Sequence, residues 1–222
     1  MILPDKIIKS TRKTLSLTIK QDGEIIVHAP NKMKDEHINS FLQNKQAWLI
    51  KKLSQIKQNQ DNHSEIIHYQ QLLFLGKTYT IKLADVKSVE FMNDLLLVPR
   101  KLEQSKVIPA VINFYKKKAK EILIKRLDYL QSIMKIKSGS VKISNSKGRW
   151  GSCNSNGVIT LNWRVLMLSP ACVDYVIVHE LCHLIEMNHS KRFWNLVSTF
   201  LPNFENQRAT IKQFGFLLNL YR

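Results

Sequence analysis

The chain has 222 residues, of which 44% are hydrophobic, and a formal net charge of +17. This length and composition can bury a sizeable core in one large domain or two small ones. No apolar run approaches the roughly 18–20 residues that span a bilayer, and the N-terminus lacks the pattern of a secretory signal, which excludes a membrane-spanning class and predicts a cytoplasmic location.

The first 103 residues predict a β-rich domain with one helix. In KTLSLTIKQDGEIIVHAP, apolar and polar residues alternate on both sides of Asp22-Gly23, which predicts a β-hairpin. Residues 34–58 predict one amphipathic helix whose apolar residues belong to the core. The polar residues 57–65 predict a surface linker, and LLFLGKTYTIKL and SVEFMNDLLLVPR predict the strands that follow. The apolar residues of the predicted helix are Ile38, Phe41, Leu42, Trp48, Leu49 and Leu53.

Residues 104–222 predict a second domain. It begins with a long, basic, amphipathic helix over about residues 105–134. Short strands follow in VKISNSKGRWGSCNSNGVITLNW, with a hairpin turn at Asn156-Gly157. The segment VITLNW, residues 158–163, is either an edge strand that can pair with an extended peptide or an internally paired strand.

The segment HELCHLIEMNH begins at His179 and contains an HExxH pattern. On a helix, His179 and His183 lie one above the other and can bind one zinc ion at about 2.0–2.1 Å. The side chain of Glu180 lies about 100° further round the helix, which suits a general base acting on water better than a ligand. Ser169 and Pro170 mark the start of this helix. The pattern predicts metal-dependent hydrolysis.

A catalytic zinc ion usually takes three protein ligands, and His189 is the strongest candidate for the third. It follows His183 by six residues, as in the metzincin pattern HExxHxxGxxH, but Glu186 replaces the glycine, which argues against a true metzincin. We therefore expect the chain to turn around Met187 and Asn188, since asparagine tolerates left-handed conformations. Two carboxylates, Glu186 and Glu205, are alternative third ligands.

Ser190 predicts the N-cap of a second helix directly after the third histidine. The predicted fold class is thus α+β, with an N-terminal β-rich unit containing a helix, followed by a zincin-like catalytic domain with a small antiparallel sheet and an HExxH helix.

The three cysteines, Cys153, Cys172 and Cys182, predict reduced thiols because their number is odd and no CxxC pair occurs. We expect Cys182 to be a small buried residue rather than a ligand. Cys153 is a candidate for the lining of a cleft.

The basic charge concentrates in residues 104–222, which carry 18 Lys and Arg against 6 Asp and Glu. This field can attract nucleic acid or a nucleotide, or can reflect a solvated helix face. The basic charge therefore leaves open two functions other than that of a peptidase: a metal-dependent hydrolase of nucleotide phosphoanhydrides, and a nucleic-acid-associated protein with a structural zinc ion. Candidate donors to a transition-state oxyanion are Arg149, Arg164 and Tyr175.

RWGSCNSNGVITLNWRVLMLSP, DYVIVHELCHL and NHSKRFW together resemble the YgjP-like metallopeptidases, which are zinc-protease-like bacterial proteins related to the SprT and WSS1-type families. The N-terminal KTLSLTIKQDGEIIVHAP and the segment LGKTY are also similar to that family. The resemblance implies a zinc site of His179, His183 and His189 with Glu180 as the catalytic residue. It implies a peptide or protein substrate, and the SprT-related proteins suggest proteolysis near DNA.

Overall fold

The structure is a computed structural model that describes residues 1–20, 22–62 and 70–221. The chain forms two compact units, residues 1–64 and 65–222. This division falls earlier than the boundary predicted between domains 1–103 and 104–222. The physical reason is that Leu72 and Leu96, from the strands before residue 103, belong to the same hydrophobic core as Ile177 of the predicted HExxH helix.

The first unit contains a three-stranded sheet. Its strands are β1 (Lys6–Ser10), β2 (Ser16–Ile19) and β3 (Ile25–Pro30), in the order β1-β3-β2. The antiparallel pairing of β2 with β3 confirms the predicted hairpin, and Gly23 supplies a φ of 93° in its turn. Strand β1, which pairs parallel with β3, was not predicted.

Two helices, α1 (Asp35–Asn44) and α2 (Gln46–Asn62), replace the single helix predicted over residues 34–58. The core contains Ile38 and Leu49 as predicted, but the prediction for Trp48 is wrong because 46% of its surface is exposed. Helix α2 takes up the first part of the predicted linker 57–65, and residues 63–65 lie outside the described residues.

The second unit begins with a four-stranded sheet of order β4-β5-β7-β6. Its strands are β4 (Gln71–Phe74), β5 (Lys77–Ala84), β6 (Glu90–Met92) and β7 (Leu95–Pro99). Helix α3 (Gln104–Met134) then confirms the predicted long helix, and the hydroxyl of its buried Tyr115 donates a hydrogen bond to the carbonyl of Leu73 at 2.6 Å.

A second sheet borders the helix that carries the HExxH pattern. It consists of β8 (Ser140–Ser144), β9 (Gly151–Cys153) and β10 (Val158–Asn162), in the order β8-β10-β9. The β9–β10 pair confirms the predicted hairpin, but β8 runs parallel to β10, so the sheet is mixed rather than wholly antiparallel. Because β10 is the middle strand, residues 158–163 do not form an edge, and β9 is an edge strand instead.

Three short helices complete the second unit: α4 (Pro170–Cys182), α5 (Lys191–Phe200) and α6 (Phe204–Gln213). Two 3-10 helices, Trp163–Met167 and Phe214–Asn219, precede and follow this group. The predicted α+β fold class is confirmed. In the part of the chain that the structure describes, no helix combines the length and apolarity needed to cross a membrane.

Candidate metal centre

Helix α4 carries the first two histidines on one face. It starts as predicted, with Ser169 at the N-cap and Pro170 in the first turn. The helix ends at Cys182, but His183 keeps right-handed helical dihedral angles, so its ring stays beside that of His179. The two ring centroids are 4.9 Å apart. This helix therefore places two candidate ligands of one ion side by side.

The chain after α4 returns the third histidine to the same place. The amide of Glu186 bonds to the carbonyl of Cys182 at 3.0 Å, and the chain then bends at Met187 and Asn188, as expected. No left-handed residue occurs among residues 184–189, all of which the structure describes, so the turn needs neither a glycine nor a left-handed asparagine. Ser190 caps α5 as predicted, accepting a hydrogen bond from the Phe193 amide.

The three histidines meet in a single cluster. Their potential ligand atoms all lie within 4.8 Å of one another. The Nε2 atoms of His179 and His189 are 3.0 Å apart, close to the separation of about 3.3 Å for two nitrogens on a tetrahedral zinc ion. His183 Nδ1 donates a hydrogen bond to the Glu186 carbonyl at 3.1 Å, which leaves the lone pair on its Nε2. The donor set fits a zinc ion.

The surroundings of His179 and His183 favour their neutral forms, as metal ligation requires. Burial, together with the neighbouring histidines and Arg208, lowers the pKa of His179 to about 3. Burial also lowers the pKa of His183. The Nδ1 atom of His179 is buried and has no hydrogen-bond partner among the described residues.

Two aromatic residues of α5 support the cluster, and the motif did not predict them. Phe193 is fully buried, and its ring centroid lies 4.5–4.9 Å from those of all three histidines. Trp194 stacks on His189 with a centroid distance of 5.5 Å and an interplanar angle of 27°. The sequence offered one indication of these residues: both lie in the first turn of the helix that Ser190 caps, a few residues after the candidate ligand His189.

Glu180 lies in a buried notch made by Gly151 of β9. Only 5% of its surface is exposed, and a Cβ atom at residue 151 would stand 2.7 Å from its Oε1. The other oxygen, Oε2, has no partner among the described residues. Burial raises the pKa of Glu180 to about 7, while the charge of Arg149 opposes the shift. A carboxyl group of this kind exchanges a proton near neutral pH.

The alternative third ligands lie outside the histidine cluster. The carboxylate of Glu186 pairs with Arg192 at 3.1 Å. Glu205 is exposed in the first turn of α6. Among the described residues, the cluster that can hold a metal ion contains the three histidines and neither glutamate.

The three candidate oxyanion donors differ in their surroundings. Arg149 is exposed, and its charge acts on Glu180, where it opposes the rise in pKa. Arg164 is 2% exposed and donates hydrogen bonds to Asn145 and to the carbonyls of Leu220 and Tyr221, so its role is to hold the fold. Tyr175 lies beside the cluster, 5.8 Å from His179 between ring centroids, and burial raises its pKa.

The thiols differ in access. Cys182 is fully buried, as predicted, and burial raises its pKa to about 12. Cys153 lies on β9 and is partly exposed. Burial raises the pKa of its thiol, and the charge of the nearby Glu180 raises this pKa further. Cys153 thus occupies the strand beside the site.

A helix that carries two histidines and a glutamate, followed by a turn that returns a third histidine, defines a zincin-like metallopeptidase domain. A family model described as YgjP-like, metallopeptidase domain, matches residues 13–214. The chain belongs to the YgjP-like metallopeptidase family.

Comparison with solved structures gives a partial likeness to the metallopeptidase zymogen abylysin of Pyrococcus abyssi. The two chains are 26% identical, with a TM-score of 0.38, over 40% of this chain and 91% of that chain. Among curated proteins, none matches the chain.

Proposed function

We propose that this protein is a zinc peptidase in which His179, His183 and His189 hold one zinc ion and Glu180 is the general base. The observation that carries this proposal is the convergence of three imidazoles, two held by α4 and its C-cap and one by the chain that follows, with ligand atoms within 4.8 Å of one another; α4 also carries a buried carboxylate whose Oε2 has no partner among the described residues. Membership of the metallopeptidase family supports a peptide or protein substrate.

When bound, zinc supplies a Lewis acid that polarises the scissile carbonyl and lowers the pKa of a coordinated water. Glu180 accepts the proton of the attacking water and then delivers it to the nitrogen of the leaving amine. A carboxylate on the same helix as the candidate ligand His179 is the group of this site that can take up and release a proton in both transfers.

The edge of β9 is the proposed track for the substrate backbone. In the described chain, β9 pairs with β10 on one side, and no strand pairs with its other side. Gly151 of this strand touches Glu180, so a peptide that adds to the free edge passes the carboxylate. Main-chain pairing of this kind holds a peptide in extended form without selecting its side chains.

The test compares zinc-loaded wild type with Glu180→Gln, using an unfolded protein such as reduced casein and, separately, nucleoside triphosphates. We expect Glu180→Gln to reduce peptide hydrolysis by about 100- to 10,000-fold. It should keep one zinc ion per chain, measured by mass spectrometry of the metal, whereas His179→Ala should lose the ion.

Glu205→Gln is the matched control, because it neutralises an exposed carboxylate of the same unit. It should retain both zinc and turnover. Full peptide hydrolysis by Glu180→Gln, or cleavage of the triphosphates alone, would contradict the proposal.

A further inference from the structure

An exposed arginine of α6 lies at the margin of the histidine cluster. The guanidinium carbon of Arg208 is 4.3 Å from the ring centroid of Trp194. The same indole stacks on His189 and, with an interplanar angle of 9°, on Phe204. Arg208 is thus anchored to the aromatic residue that also contacts a candidate metal ligand.

The charge of Arg208 has no counterion in the described part of the chain. Arg126 is bonded to Asp174 at 2.6 and 2.7 Å, but no carboxylate of residues 1–20, 22–62 or 70–221 lies within ion-pair distance of Arg208.

A guanidinium held over an indole by a cation–π contact still carries its N–H donors. The contact limits the motion of the group, and a pair of these donors matches the two oxygens of a carboxylate. An anchored and uncompensated guanidinium is therefore organised to bind an anion before the anion arrives.

We infer that Arg208 binds a carboxylate of the substrate next to the three-histidine cluster. This inference rests on the proposed peptidase function and adds a specificity to it. The carboxylates of an unmodified peptide are its acidic side chains and its C-terminus. Arg208 therefore selects substrates that place one of these groups close to the scissile bond.

The kinetic test uses Arg208→Met, which keeps an apolar side chain on Trp194, and Arg208→Lys, which keeps the charge without the planar fork. The probes are dansyl-labelled octapeptides of alanine, glycine and leucine with one central glutamate or glutamine, each with a free or an amidated C-terminus. Comparing these four probes separates a side-chain carboxylate from a terminal one.

We expect Arg208→Met to raise KM by about 10- to 100-fold for the probes whose carboxylate is recognised, with a small change in kcat. Arg208→Lys should recover part of the loss, and the probe that lacks both carboxylates should respond little. Arg100→Met removes one exposed charge elsewhere in the same unit and is the matched control. Equal effects on all four probes, or the same effect from Arg100→Met, would overturn the inference.

A binding measurement separates failure of this inference from failure of the proposed function. Anisotropy of the same probes is measured on zinc-loaded Glu180→Gln, with and without Arg208→Met. Binding that depends on both the carboxylate and Arg208 supports the inference even where wild type cleaves nothing. Cleavage by wild type without such dependence overturns the inference and leaves the peptidase standing, and absence of binding by all probes also overturns it.

Discussion

At the scale of single residues, the contact between Gly151 and Glu180 shows how a strand can position a candidate catalytic carboxylate. The carboxylate occupies the space that any other side chain at residue 151 would take, with its Oε1, Cγ and Cδ atoms 2.7–2.9 Å from the position of a Cβ atom. Glycine is thus required here by close approach.

We predict that Gly151→Ala displaces the Glu180 carboxylate and lowers kcat/KM for peptide hydrolysis by about 100-fold, because misplacement by about 1 Å has effects of this size. Zinc content should stay at the wild-type level, since the histidines are untouched. Gly148→Ala is the control, as a Cβ atom there meets nothing within 4 Å. Equal activity of the two variants would refute the steric argument.

The contact of Trp194 with His189 leads to a second prediction at this scale, which concerns zinc affinity rather than turnover. His189 lies in an exposed loop, and the stacked indole is one of the contacts that orient its ring. Trp194→Leu should weaken zinc binding by about 10- to 100-fold, the range observed when groups that orient ligands are removed.

Competition with a chromophoric chelator measures this affinity. Trp194→Phe, which keeps an aromatic face, should lose less affinity, and Trp48→Leu in the other unit should lose none. A loss with Trp194→Phe as large as that with Trp194→Leu would show that stacking does not orient the ligand.

At the scale of elements, the loop between β8 and β9 is fixed by one buried amide. Asn162 is fully buried at the end of β10, and its Nδ2 donates to the carbonyls of Ser146 and Arg149 at 2.6 and 3.1 Å. Its Oδ1 accepts from the amide of Arg164 at 3.0 Å. The loop leads directly to Gly151, so this amide sets where β9 begins.

We predict that Asn162→Asp lowers the free energy of unfolding by about 1–3 kcal/mol, because the carboxyl group no longer serves both carbonyls as a donor and leaves buried acceptors unsatisfied. Urea denaturation followed by circular dichroism measures the loss. Asn156→Asp, in the exposed turn between β9 and β10, should be near neutral. Equal stability of the two variants would contradict the role assigned to Asn162.

The elements that could be predicted from the sequence are those with local causes. Asp22-Gly23 and Asn156-Gly157 indicate their hairpins because the turn conformation depends on those residues themselves. Ser190 indicates the start of α5 for the same reason. Sheet order depends on distant packing, so the pattern of residues 158–163 was compatible with both an edge and a middle strand.

The same distinction between local causes and distant packing applies to the candidate site. The spacing of His179, His183 and His189 predicted their cluster because helix geometry and one turn bring them together. No local pattern indicated that Gly151 touches Glu180 or that Arg208 lies on Trp194, since each contact joins elements separated along the chain.

At the scale of the whole molecule, the candidate ion links α4 to the chain that enters α5. Such an ion binds the native state and not the unfolded chain, so its removal should lower stability. We predict that the thermal midpoint of the wild type is about 5–10 °C lower after chelation than in the presence of free zinc at 100 times its Kd. His189→Ala should show a smaller shift, and an unchanged midpoint in the wild type would contradict a metal-linked fold.

The basic charge is concentrated on an exposed face of α3. Four exposed lysines of this helix have no ion-pair partner among the described residues: Lys116, Lys117, Lys120 and Lys125. If this face binds nucleic acid, affinity for a 30-base-pair duplex should fall steeply with salt, and changing all four lysines to glutamine should reduce the salt slope by about 3–4. Absence of binding at low salt would identify the face as solvated.

The unequal burial of the three thiols makes the protein suited to chemical labelling without mutation. Cys172 and Cys182 are buried, whereas Cys153 is partly exposed on the edge strand that borders Glu180. A maleimide carrying a photoactivatable group should therefore attach there first. Irradiation in a cell extract would then join the protein covalently to whatever chain lies along β9, and mass spectrometry would identify it.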